Sequence, residues 1–149
     1  MKHAIILSGV SRAGKSAFAR KNFPNTHRIS ADDFFKTSQG GCEFSPLKLE
    51  EAHNDCFRKF LVHLASSEED IIVDNSNTMT WQISPYVLAA KTFDFSHEII
   101  TLVVPWEKLE ELDALTNLVS KQYHNLVKRV LPPFWNAREI RLEAKETIK

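Results

Sequence analysis

The sequence predicts an α/β fold, a parallel sheet of about four to five strands flanked by helices on both faces. Three observations carry that expectation. Short apolar runs, among them Ala4-Ile5-Ile6-Leu7 and Ile71-Ile72-Val73, alternate with longer segments of helical periodicity. The runs are continuous, as in strands covered on both sides. The chain, at 149 residues with 43% hydrophobic and 26% charged content, has the size and composition of one globular domain spanning 1–149 with a single substantial core.

The first strand leads directly into Gly9-Val10-Ser11-Arg12-Ala13-Gly14-Lys15-Ser16, which fits G-x-x-x-x-G-K-[ST]. Lys15 to Asn22 then reads as a helix. Strand, loop and helix in that order are the context this phosphate-binding motif needs. Its glycines allow a tight turn and a close approach to a ligand. Amides from Gly9, Ser11, Arg12, Ala13, Gly14, Lys15, Ser16 and Ala17 are the expected nucleotide contacts, helped by the helix dipole. Lys15 is expected to reach the terminal phosphates, and Ser16 to ligate Mg²⁺. Arg12 stands where glycine is common; strain at a positive φ and an extra charge for phosphate are both open readings.

A short strand from about His27 to Ser30 carries the chain to Ala31-Asp32-Asp33-Phe34. Ligands gather at the carboxyl ends of parallel strands, so this pair of acids belongs on the same edge as the glycine-rich loop. Asp32 has two equal readings there, a base for an attacking hydroxyl and a helix N-cap. Ser45-Pro46 is expected to open a long helix whose stripe is Leu49, Ala52, Cys56, Phe60 and Leu64, widened by Phe57 and Leu61. Asp70 to Asp74 is a strand with a carboxylate at its tip, where Asp helps to hold Mg²⁺. Asn75-Ser76-Asn77-Thr78 continues as a polar loop on the active edge, followed by a helix from about Ser84 to Phe93 and a strand from Glu98 to Val104 that Pro105 stops.

Trp106 to Val130 keeps a helical period through Leu109, Leu112, Leu115, Val119, Tyr123, Leu126 and Val130, as one long helix or two. Asn136 with Glu139 resembles a capping box for a last helix through about Ile148.

The net charge is zero, but unevenly spread. Residues 1–31 hold Lys2, Arg12, Lys15, Arg20, Lys21 and Arg28 and no acid, and residues 121–149 are again mostly basic. These ends either meet in an anion-binding face or are solvated charges. A neutral total argues against tight nonspecific binding to duplex nucleic acid. Cys42 and Cys56 form no C-x-x-C pair and no disulfide framework, which fits a reducing, cytoplasmic setting. The sequence shows no signal peptide and no stretch long enough to cross a membrane.

Four stretches together resemble the polynucleotide-kinase-like P-loop ATPases, in particular the Nedd-four-binding-protein-like branch. They are Gly9 to Ser16; Ile29 to Phe34; Phe44-Ser45-Pro46 with Leu49 to His53; and Val73 to Thr78 with Trp81 and Pro85-Tyr86. The resemblance covers roughly residues 1–105. It implies a P-loop NTPase fold with a helical lid, ATP and Mg²⁺ as ligands, and transfer of the γ-phosphoryl to a hydroxyl, foremost the 5′-OH of a nucleic-acid end or nucleotide. Asp32 would be the general base, Asp74 and Ser16 the metal site, and Asp33, Asn75, Asn77 and His53 the acceptor side. Two departures weigh on this. Phe35 stands where phage polynucleotide kinases carry a phosphate-gripping Arg. The lid offers Lys121-Gln122-Tyr123-His124-Asn125 in place of R-N-x-H, so Lys121 or Arg129 is left to neutralise charge. Losing a charge-stabilising arginine lowers rates by about a thousandfold or more. A small-metabolite kinase and a nucleotide-binding regulatory module are therefore the alternatives.

Overall fold

The computed structural model describes residues 2–11, 13–36, 41, 43–111 and 113–142. Arg12, Cys42 and Leu112, named above, lie outside these residues. Five strands, β1 (His3–Ser8), β2 (His27–Ile29), β3 (Ile71–Asp74), β4 (Ser96–Val103) and β5 (Ala137–Arg141), form one sheet in the order β2-β3-β1-β4-β5. All four pairings are parallel. From β1 the chain builds first to one side and then crosses to the other. The switch point therefore falls at the carboxyl end of β1, where the glycine-rich loop begins.

The α-helices are α1 (Lys15–Asn22), α2 (Leu49–Ser66), α3 (Thr80–Thr92), α4 (Trp106–Glu111) and α5 (Asn117–Lys128). They divide between the two faces of the sheet. Ala4, Ile6, Ile71, Val73 and Ile99 pack with Ala52, Cys56, Phe60, Ile83, Tyr86 and Val87 of α2 and α3. Ile5, Leu7, Ile72, Ile100 and Leu102 pack with Ala19, Leu109 and Val119 of α1, α4 and α5. The period-2 alternation of Cβ direction sends neighbouring residues of one apolar run into two different cores. Each fully buried aliphatic side chain contributes roughly 1.5–3 kcal/mol. Among the described residues, no helix is long and apolar enough to cross a membrane.

Several boundaries differ from the sequence expectation. The Ser45-Pro46 start holds, but as a 3-10 turn, Pro46–Lys48, before α2 begins at Leu49. Helix α3 starts at Thr80, not at Ser84, because Gln82 Oε1 accepts the Met79 N–H at 3.1 Å and stabilises an extra first turn. Pro85 therefore lies inside α3. The Trp106–Val130 stretch is two helices. Asp113, at φ 52°, turns the chain, and Thr116 Oγ1 caps α5 by accepting Val119 N–H at 3.1 Å.

The expected last helix begins instead as β5. Asn136 is no helix cap: its Nδ2 donates to His97 O at 3.1 Å, and its own carbonyl accepts Ile99 N–H at 2.8 Å. The open edge of β4 offers five register partners, Ile99 to Val103, and an Arg138–Glu98 bridge at 3.0 Å supports the pairing. Tertiary pairing overrides the local capping signal; residues beyond 142 lie outside those described.

Phe60 is fully buried and stacks edge-on against Tyr86, with ring centroids 4.9 Å apart. Phe60→Ala is expected to lower unfolding free energy by about 3–5 kcal/mol, read from urea denaturation.

Candidate active site

The carboxyl ends of β1, β2 and β3 and the residues that follow them open into one cleft of about 660 Å³, with Leu118, Lys121, Gln122 and Asn125 of α5 as a further wall. The glycine-rich loop forms its floor. Gly14, at φ 83°, sits in the left-handed region and turns the loop into α1. A Cβ on Gly9 would stand 3.1 Å from the Leu102 carbonyl, so a larger residue there would push the loop and β4 apart by a few tenths of an ångström. No acid occupies the first turn of α1, so its amides keep their positive potential toward the cleft.

The segment after β3 fixes this loop. Ser76 O accepts Gly9 N–H at 2.9 Å. Asn77, buried and at φ 45°, donates from Nδ2 to Leu7 O at 3.0 Å. Its carbonyl accepts Ser8 Oγ at 2.9 Å and Arg129 Nη1 at 2.7 Å. Asn75 works on the other side: its Oδ1 accepts Ala31 N–H at 2.8 Å and so holds the 3-10 turn Ala31–Phe35 against β3.

That turn carries Asp32. Ser30 Oγ accepts Asp32 N–H at 3.2 Å and is the N-cap, which removes the reading of Asp32 as a cap. The Asp32 side chain instead lines the cleft together with His53 of α2. Burial lowers the pKa of His53, and the charge of Asp32 opposes that.

The polar centre lies between α1 and β3. Asp74 is buried, and its Oδ2 accepts the Ser16 hydroxyl at 2.7 Å and Arg28 Nε at 2.9 Å. Lys15 Nζ donates to Val10 O at 3.0 Å and Gly9 O at 3.3 Å. Burial pushes the Lys15 ammonium below the ordinary lysine range, while Asp74 and then Asp32 pull it back.

Ser11, Gly14, Lys15, Ser16, Ala17, Asp32, His53, Asp74, Asn75, Asn77 and Lys121 all line this cleft. Asp33 does not. It pairs with Lys36 at 2.9 Å and Arg28 at 3.6 Å and faces a separate groove beside β2, because consecutive residues of a 3-10 turn point about 120° apart. Its expected acceptor-side position is corrected accordingly. Gly9 and the buried Ala13 support the loop from beneath. Arg129 is tied to Ser8, Thr101 and Asn77, outside the cleft; burial holds its pKa down to about 10. His124 turns away, onto Trp106. Phe35 is buried in the core, so that position offers no group to a phosphate.

Sequence reasoning missed the contacts of Arg28 with Asp74 and of Gln122 with Ser11, and it named Phe44 and Trp81 only among the stretches of the resemblance, without a place at the cleft. Arg28 sits on an edge strand without a motif, and its partner is 46 positions away. The exposure of Phe44 and Trp81, 56% and 68%, is a tertiary property.

The profile of the AAA domain family (AAA_33) matches residues 5–129. A chain of the Pnkp1/Rnl/Hen1 RNA repair complex superposes with a TM-score of 0.65 at 21% identity, covering 85% of this chain and 44% of that one. A gluconokinase from Sinorhizobium meliloti 1021 gives a TM-score of 0.61 at 15% identity over 97% of this chain and 86% of that one. Chaetomium thermophilum Kti12, solved with ADP-AlF3, gives 0.57 at 16% identity over 93% and 88%. The chain spans less than half the length of the RNA-repair chain it matches. It belongs to the AAA domain family and has the P-loop kinase-like fold.

Removing Arg28 leaves the buried Asp74 carboxylate without its ion-pair partner, and removing Asp74 leaves Arg28 only the longer contact to Asp33 at 3.6 Å. Asp74→Ala is expected to lower stability by about 1–3 kcal/mol. In an Arg28→Met background the same change should have a smaller effect, with a coupling of at least about 0.5 kcal/mol by urea denaturation. Additive losses would mean that the pair is not coupled.

Proposed function

We propose that this AAA-domain family member is an ATP-dependent kinase of the polynucleotide-kinase-like, Nedd-four-binding-protein-like branch. One observation carries the reading: Lys15, Ser16 and Asp74 share a single cleft with Asp32 and His53. Phosphates of ATP rest on the amides of the loop and the first turn of α1, and Lys15 exchanges the Gly9 and Val10 carbonyls for phosphate oxygens. Asp32 accepts the proton of the acceptor hydroxyl as its oxygen bonds to the γ-phosphorus and the bond from that phosphorus to ADP breaks. Lys121 neutralises charge from the α5 side, as a point charge without the forked contact of an arginine.

The donors present suit Mg²⁺. Ser16 Oγ and Asp74 Oδ2 are hard oxygens 2.7 Å apart, and such an ion draws its other oxygens from phosphates and water. When bound, the ion would screen the phosphate charge and hold the terminal phosphates in line.

Two features bear on the acceptor. Phe44 and Trp81 are exposed aromatic rings lining the same cleft, and such rings stack on unpaired bases. They favour the 5′-OH of a nucleic-acid end or a nucleotide. Burial of Phe35 removes one phosphate grip and favours the second reading, a small hydroxylated metabolite.

Incubation with γ-labelled ATP, Mg²⁺ and separate 5′-OH oligonucleotides, nucleosides and sugars decides the acceptor. Asp32→Asn is expected to lower transfer by about 10²–10⁴-fold without changing ATP affinity. Phe44→Ala and Trp81→Ala should each lower kcat/KM for an oligonucleotide by about five- to a hundredfold and leave the KM for ATP unchanged. Label on sugars alone would favour the metabolite kinase; ATP binding without any transfer would favour a regulatory module.

Lys15 gives a second test. Its environment disfavours the charged form on balance. A base with a lowered folded pKa opposes folding while charged, and stability rises as pH climbs through the folded value toward the unfolded one. Lys15→Met is therefore expected to abolish ATP binding while leaving the urea midpoint at pH 7 equal to or above wild type. Unaltered ATP affinity would exclude the phosphate role.

A further inference from the structure

We propose that Arg28 is a built-in stand-in for the metal: it occupies the oxygens offered to Mg²⁺, so that the nucleotide-free protein binds free divalent ions weakly, and Asp33 receives the guanidinium when an ion enters with its nucleotide. The inference rests on the reading that Ser16 and Asp74 hold Mg²⁺. Its basis is one side chain in contact with both candidate ligands. Arg28 Nε donates to Asp74 Oδ2 at 2.9 Å, and Nη2 reaches Ser16 Oγ at 3.5 Å. The Asp74 side chain is only 3% exposed. This buried carboxylate therefore has its counter-charge on the same oxygen that accepts the Ser16 hydroxyl. The cation comes from behind the site, since Arg28 belongs to β2 and lines the groove beside that strand.

The same guanidinium has a second carboxylate within reach. Its Nη1 lies 3.6 Å from Asp33 Oδ1. That oxygen is buried and, among the described residues, accepts no hydrogen bond; Lys36 meets it at 2.9 Å as an ion pair without hydrogen-bond geometry. A buried acceptor in that state gains by taking a guanidinium N–H. A short swing of Arg28 along its groove thus exchanges Asp74 for Asp33 and leaves the arginine with a partner throughout. Electrostatics sets the order of events. A free divalent ion would have to shed water and compete with a cation already on its oxygens. An ion carried by a triphosphate brings phosphate oxygens with it, and the loop amides hold those phosphates. Lys15 stays outside the exchange, because its hydrogen bonds go to the Gly9 and Val10 carbonyls.

Binding of Mn²⁺, a paramagnetic ion that also prefers oxygen ligands, to the nucleotide-free full chain tests this. Electron paramagnetic resonance measures free Mn²⁺ in the presence of wild type, Arg28→Met, Arg28→Gln, Asp33→Asn and Arg28→Met combined with Asp33→Asn, each shown to be folded by its urea transition. Arg28→Met and Arg28→Gln are expected to bind Mn²⁺ about five- to fiftyfold more tightly than wild type. Glutamine keeps a hydrogen bond to Asp74 without the charge, so its agreement with methionine assigns the effect to charge, and it guards against a folding defect in the methionine variant. Asp33→Asn removes the alternative partner and is expected to weaken Mn²⁺ binding by about two- to tenfold, with no further effect once Arg28 is replaced. Adding Asp74→Asn to Arg28→Gln should cancel the gain. Unchanged or weaker binding in both Arg28 variants would overturn the assignment and make Arg28 a plain support for Asp74. An equal loss from Asp33→Asn with and without Arg28 would overturn the part given to Asp33. Calorimetry of wild type with a non-hydrolysable ATP analogue, with and without Mg²⁺, tests the underlying reading separately. Absence of any Mg²⁺-dependent binding would overturn the metal reading and this assignment with it; Mg²⁺-dependent binding beside unaltered Mn²⁺ affinity in the variants overturns the assignment alone.

Discussion

The constraint on which the site depends is the grip of the segment after β3 on the ends of the two neighbouring strands. Asp74, Asn75, Ser76 and Asn77 each make a different long-range contact: to Ser16 and Arg28, to Ala31, to Gly9 and to Leu7. Three of these polar residues, Asp74, Asn75 and Asn77, are buried, which would be costly unless each polar group had a partner. Here Asn75, Ser76 and Asn77 bond to backbone groups of Ala31, Gly9 and Leu7, while Asp74 bonds to the side chains of Ser16 and Arg28. The same hydrogen bonds thus satisfy the strand ends and set the spacing between the glycine-rich loop and the turn that carries Asp32.

Electrostatics at the centre follows from this arrangement. Asp74 is the buried charge, and it has two cationic neighbours of different kinds. Arg28 bonds to it directly, while Lys15 acts on it through space and keeps its hydrogen bonds on loop carbonyls. Arg28 is thereby the direct counter-ion of Asp74, while the hydrogen bonds of Lys15 go to neutral carbonyls. A lysine paired tightly to Asp74 would have to break a charged contact before it could reach a phosphate; breaking two carbonyl contacts costs less.

The sheet and its two layers were legible because they rest on local pattern. Ala4 to Leu7 and Ile71 to Val73 could only be doubly covered strands, and the glycine-rich loop could only follow one of them. The misreadings came where tertiary pairing competed with a local signal. Asn136 and Glu139 have the spacing of a capping box, yet the free edge of β4 captured the segment as β5. Ser84-Pro85 has the look of a helix start, yet Gln82 closed a turn further upstream. Lys15, Ser16, Asp32 and Asp74 line one cleft, and their common location could be anticipated because each stands close to the carboxyl end of a strand. Asp33 was misplaced because sequence adjacency to Asp32 says nothing about which way a 3-10 turn points each side chain. The contacts of Arg28 and Gln122 were not foreseen because their partners are 46 and 111 positions away.

The cleft is also asymmetric in a way that bears on its acceptor. The side toward the glycine-rich loop presents Ser11, Gly14, Lys15, Ser16 and Ala17, carried by the loop and α1. Its other side mixes the carboxylate of Asp32 and the imidazole of His53 with the apolar surfaces of Phe44, Leu49, Met79 and Trp81. A polyhydroxylated sugar would need several polar partners to replace its lost water, and the cleft offers Asp32, His53, Asn75, Asn77 and Gln82 among others. A flat heteroaromatic base needs the opposite: two faces to cover and a few edge contacts. With Phe35 turned into the core, recognition of a nucleic-acid end would have to come from the base rather than from a phosphate clamp at that position, and the exposed rings are the groups equipped to provide it.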